Sequence, residues 1–226
     1  MRTKRYISLL LASLALLALT ACGAEKDKEE EEGSMTIQPA QLSEEETALT
    51  ELLGLEMRGY SMYDFQVSGI KSIKISAYEL VGSGWSPVYT GLTSHTSTDA
   101  GRIALMLGKM NEGVTVRYQC EDGGGGPSFI MPGSEEIGLS YATSTLTAPK
   151  SVELDQEIPL AIQIATTQNE IYSYDVQYFG MPREYAKHGY EHVYAVTVTF
   201  SANSVSGNSQ DAPPNAPASV EPSPAD

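Results

Sequence analysis

The chain has 226 residues, with 29 acidic against 14 basic side chains and a formal charge of −15. A surface that negative repels phosphate backbones, which excludes nucleic acid as a partner. The length suits one moderate domain or two small ones.

The first element is an apolar run. Arg2, Lys4 and Arg5 precede Ile7 to Leu19, 13 residues without a charge. That is the length of a signal-peptide core, whereas a spanning helix takes about 20 residues. The run ends in Leu19-Thr20-Ala21-Cys22, which resembles the lipobox of bacterial lipoproteins. The resemblance covers residues 1–22 only. It implies that a diacylglyceryl group is joined to the Cys22 sulfur, that the chain is cut before Cys22, and that the product sits at the extracytoplasmic face of a membrane. The anchor holds through acyl burial at about 0.8 kcal/mol per methylene, so two or more chains suffice where one does not. Residues 1–21 carry three bases and no acids, so removing them takes the charge from −15 to −18.

Residues 22–42 read as the lipidated cysteine and an acidic tether. Gly23 to Ser34 holds six acids and two lysines without apolar periodicity, a self-repelling chain whose length up to Leu42 reaches roughly 25 Å root-mean-square. Ser43-Glu44-Glu45-Glu46 then starts a helix, with Ser43 as cap and Glu46 returning the bond. Leu49, Leu52 and Leu53 follow at i, i+3 and i+4, which predicts one short amphipathic helix packed on the domain.

From Tyr63 the period changes to two. The alternating sets are Tyr63, Phe65, Val67; Ile73, Ile75, Ala77; Ile103, Leu105, Leu107; Val114, Val116, Tyr118, Cys120; and Ile137, Leu139, Tyr141. Ile158, Leu160, Ile162 and Ile164 give the cleanest alternation, followed by Tyr172, Tyr174, Val176, Tyr178 and by Tyr194, Val196, Val198, Phe200. Turns are expected at Gly82 to Gly84, Asp99 to Gly101, Asn111 to Gly113 and Gly123 to Pro127. Short strands at this spacing predict an all-β fold, an antiparallel β-sandwich over residues 43–201, with the short helix at its N-terminal end. Residues 202–226, rich in Ser, Asn, Ala and Pro, read as a disordered tail. The similar segments Tyr63 to Gly69 and Tyr174 to Gly180 read as a coincidence of two strands.

Few motifs carry chemistry. Cys120 is the one cysteine left after lipidation, so no disulfide is available, and its place on a strand face predicts a buried, inert thiol. His188-Gly189-Tyr190-Glu191-His192 fits the letters of H-x-x-E-H, a zinc-protease signature that needs a helix. Gly189 inside it and a strand starting just after it point instead to two solvated histidines, with a non-catalytic metal site on His188 and His192 as the alternative. Ser68-Gly69-Ile70-Lys71 lacks the companion motifs of serine–lysine enzymes. Gly123 to Gly126 lacks a phosphate-loop ending and reads as a mobile hairpin tip. Glu121, Asp122, Glu153, Asp155 and Glu157 lack calcium-loop spacing. No catalytic residue, metal ligand or cofactor is assigned.

The 13 tyrosines and single tryptophan leave aromatic recognition open. Trp85 and Tyr89 flank a Gly/Pro-rich stretch and are the candidate ligand-binding pair, a sugar-stacking platform, set against the plainer role of tyrosine as a strand residue. The expected function is a non-catalytic binding or structural module at the cell envelope, with a protein or glycan partner. The alternatives are an envelope hydrolase and an accessory subunit of a membrane complex.

Overall fold

The computed structural model describes residues 35–55, 59–94, 98–121, 123–133 and 138–204. The apolar N-terminal run, Cys22, the acidic tether up to residue 34 and the tail from residue 205 lie outside the described residues.

Period-two alternation becomes two antiparallel sheets packed face to face. One has the order β10-β1-β2-β5-β6-β7, with β8 also paired to β6. Its strands are β1 (Thr36–Pro39), β2 (Tyr60–Gln66), β5 (Ala100–Leu107), β6 (Val114–Cys120), β7 (Gly123–Gly125), β8 (Ser128–Phe129) and β10 (Lys150–Ser151). The other has the order β4-β3-β12-β11-β9, built from β3 (Ser72–Val81), β4 (Gly84–Ser94), β9 (Ser140–Thr145), β11 (Glu157–Thr166) and β12 (His192–Ser201). The fold is an all-β sandwich. It starts earlier than residue 43, because β1 pairs with both β2 and β10 and buries Ile37.

Phe65, Ile73, Ile75, Ile103, Leu105, Val116, Val196, Val198 and Phe200 fill the space between the sheets. Each fully buried side chain of this size contributes about 1.5–3 kcal/mol. Cys120 is buried among them as a thiol. Polar bridges cross the same space. Gln163 accepts from the Met110 N–H at 2.7 Å and donates to the Gly108 carbonyl at 2.9 Å and the Thr143 hydroxyl at 2.8 Å. Tyr63 donates its hydroxyl to the Leu160 carbonyl at 3.1 Å.

Two expected strand faces are rearranged. In β11 a bulge between Pro159 and Ala161 inserts one residue against β12. Ile158 and Leu160 stay in the inner core, while Ile162 and Ile164 turn to the outer face. The cleanest alternation in the chain therefore serves two cores. The predicted strand Tyr172 to Tyr178 is absent: the segment is irregular and then forms a 3-10 helix, Val176–Gly180, followed by the short helix α2, Pro182–Ala186. With Tyr63 to Gln66 in β2, the two similar segments fold differently. The glycines 123–125, expected as a hairpin tip, form β7 and pair with Tyr118 to Cys120. Ala100 and Gly101, expected in a turn, open β5.

The helix α1 (Glu44–Leu52) forms as predicted at its start. Ser43 accepts from the Glu46 N–H, and Glu46 accepts from the Ser43 N–H at 2.9 Å. Its packing differs from expectation, as described below.

Candidate interaction faces

The outer face of the β4-β3-β12-β11-β9 sheet is half covered. Ile162, Ile164, Val193 and Ala195 form a second, smaller core, roofed by Ile171, Tyr174, Val176, Tyr178, Phe179 and Tyr185. These residues come from the segment between β11 and β12, which acts as an aromatic lid. Trp85 pins it: its indole Nε1 donates to the Phe179 carbonyl at 2.7 Å, and its ring stacks on Phe179 at 5.1 Å. Burial raises the Tyr185 hydroxyl pKa, and that oxygen has no hydrogen-bond partner.

Tyr89 lies elsewhere. A bulge in β4 between the partners of Ala77 and Tyr78 shifts its register, so Tyr89 packs with the inner core and stacks on Phe129 of β8 at 4.4 Å. Trp85 and Tyr89 therefore face opposite sides of the sheet, each against another aromatic ring. They do not form one platform.

The letters of H-x-x-E-H are dispersed. Gly189 turns the chain with φ +64°. His188 receives or donates a hydrogen bond with the Tyr174 hydroxyl at 2.8 Å and stacks on Tyr172 and Tyr190 at 5.1 and 5.2 Å. Glu191 accepts from the Thr167 N–H and hydroxyl, and the hydroxyls of Thr166 and Thr167 hold its carboxyl well below the usual range, at about 2. His192 sets Nδ1 2.7 Å from Glu79 Oε1 and stacks on Tyr194 at 5.4 Å. It is largely buried rather than solvated, since its side chain is 13% exposed.

The remaining candidates are also separate. Glu153 binds Gln156, while Asp155 accepts from Ser201. Glu157 accepts from Tyr78 and Thr197, each at 2.7 Å, and burial together with this bond pushes the Tyr78 hydroxyl up to about 12. Among the described residues, no group of three His, Cys, Asp or Glu side chains is placed to hold a metal ion. Ser68 lies in the turn between β2 and β3, away from any helix start.

Among the described residues, the most exposed large apolar side chain is Leu52 of α1, with Leu49 and the C-cap residue Leu53 beside it. Leu49, Leu52 and Leu53 are 55%, 83% and 54% exposed. The helix instead rests on Thr50 and is held by ions: Glu46 Oε1 lies 2.6 Å from Arg102, which lies 2.6 Å from Asp64. The leucine stripe predicted to face the core thus faces solvent, rimmed by the exposed Glu44, Glu45 and Glu51. Periodicity identified the stripe but carried no information on which surface it meets. Tyr172, expected in a strand, lies in the irregular segment of the lid and is 55% exposed over His188.

These observations define the class of protein as an antiparallel β-sandwich with an aromatic lid and an outward-facing amphipathic helix. Compared with family models, curated proteins and solved structures, the chain matches none.

Proposed function

We propose that this protein is a lipid-anchored, extracytoplasmic binding module that docks a protein partner of the cell envelope through α1. The membrane is its first partner, through acyl chains on Cys22. The observation that carries the docking reading is the leucine face of α1. Large apolar side chains at i, i+3 and i+4, left exposed on a well-capped helix, match the helix-in-groove mode of recognition. The rim of Glu44, Glu45 and Glu51 asks for a groove bordered by Lys or Arg side chains. The described sandwich begins with β1 at Thr36, just ahead of α1. The hydrolase alternative lacks comparable support, because His188, Glu191 and His192 engage separate partners.

A photo-crosslinking residue at position 52 of the full-length, membrane-borne protein tests the docking. A discrete adduct is expected from position 52, none from position 177 on the lid, and loss of the adduct with Leu49→Glu. Equal adducts from both positions, or none from 52, would overturn it. Fatty-acid labelling tests the anchor separately: wild type takes the label and Cys22→Ser does not. Label retained in the variant sinks the anchor.

A further inference from the structure

Beyond the lid, the outer face of the β4-β3-β12-β11-β9 sheet has a different chemistry: its hydroxyl side chains Ser72, Ser76, Thr197 and Thr199 are buried, and the face opens only at one end. Along β3 the outer face runs Ser72, Lys74, Ser76 before it reaches Tyr78. Along β12 it runs Val193 and Ala195 under the lid, then Thr197, Thr199 and Ser201 beyond it. The register places Thr199 opposite Lys74 on one side and Glu157 on the other. Hydroxyls thus replace apolar side chains along two adjacent strands. At their open end lies a trough of about 230 Å³, lined chiefly by Ser72, Lys74, Asp155, Thr199, Ser201 and Asn203.

Several of these groups hold one another in place. Ser72 donates to the Asn203 carbonyl at 2.8 Å, and the Asn203 N–H donates to the Ser201 hydroxyl at 3.1 Å. Ser201 in turn donates to Asp155 Oδ1 at 2.5 Å. Asp155 is the one non-glycine residue among the described residues with positive φ, +64°, and its N–H donates to the Phe200 carbonyl at 2.8 Å. That turn seats the carboxylate beside the trough.

Two groups are left over. Thr199 is 5% exposed, and its hydroxyl has no hydrogen-bond partner. A buried polar atom in that state normally has a partner, protein or otherwise. Lys74 makes no ion pair with any described carboxylate.

We infer that this trough is a binding site for a neutral polyhydroxylated ligand, one sugar residue in size. A hydroxyl of the ligand both donates and accepts, so it can satisfy Thr199 while neighbouring hydroxyls accept from Lys74 and donate to Asp155. An anion would meet Asp155, and a cation would meet Lys74. An apolar ligand would leave Thr199 as it is. The volume lies below the usual range for drug-sized ligands, roughly 300–1,000 Å³, which suits a single ring. This inference is independent of the docking of α1.

The test is a nitrogen-15 amide titration of the mature chain in detergent with D-glucose, D-galactose and N-acetyl-D-glucosamine, with inorganic phosphate as the anion control. Saturable shifts confined to Lys74, Thr199, Ser201 and Asn203 are expected with at least one sugar, and none with phosphate. Thr199→Val keeps the shape of the side chain and removes the orphan hydroxyl. It should fold with an equal or higher Tm and bind the sugar at least ten-fold more weakly. Leu52→Glu, which severs the proposed docking, should leave the sugar titration unchanged. The inference is overturned by absence of saturable shifts with all three sugars, by unchanged affinity in Thr199→Val, or by saturable phosphate binding.

Discussion

Gln163 is the side chain on which the two sheets close. Its amide spans from β11 to the turn between β5 and β6, and it is 1% exposed with both polar ends engaged. Gln163→Ala leaves the Met110 N–H and the Gly108 carbonyl without partners inside the sandwich, so a loss of about 2–4 kcal/mol is expected in urea unfolding. A loss below that of a surface substitution would show that water replaces the amide. Glu191 provides a pH signature. Its folded pKa, about 2, lies below the ordinary value of 4.5, so its stabilising effect is complete above about pH 4.5 and fades as pH falls towards 2. Glu191→Gln should therefore flatten part of the decline in Tm between those pH values. Solvent screening keeps the effect modest because the side chain is exposed. Identical acid profiles for the two proteins would contradict the assignment.

At the scale of elements, α1 separates what holds a helix together from what holds it in place. Ser43→Ala removes the cap and should cost about 1 kcal/mol. Leu52→Gln should change stability by less than about 0.5 kcal/mol, because the side chain it removes is already in solvent. Thermal melts of the two variants check both values, and a large loss in the second would return the leucine face to the core. This helix also shows which features were legible in the sequence. Its cap was, because Ser43 and Glu46 interact over a few residues. Its orientation was not, because that depends on Arg102, far along the chain, pulling Glu46 and Asp64 together. Bulges behaved in the same way. The alternation of Ile158, Leu160, Ile162 and Ile164 assumed a continuous register, and one extra residue against β12 divided it.

At the scale of the molecule, the sandwich class was legible because many strands share one inner face. Its closure was not, since β1 reaches β10 and β3 reaches β12 across about half of the chain. The lid differs from the expected strand for a chemical reason. Tyrosine suits a half-buried strand and a half-buried cover equally well, so Tyr172 to Tyr178 alternated without pairing. The same ambiguity hid the separation of Trp85 from Tyr89, decided by a bulge in β4. Trp85 has one further consequence. It is the only tryptophan of the protein, and both its ring and its Nε1 engage Phe179 of the lid. The emission of the protein on excitation at the red edge of the tyrosine band therefore originates at one hinge between cover and sheet. A shift of that emission to longer wavelength, at constant far-ultraviolet dichroism, reads the lid lifting from a sandwich that stays folded.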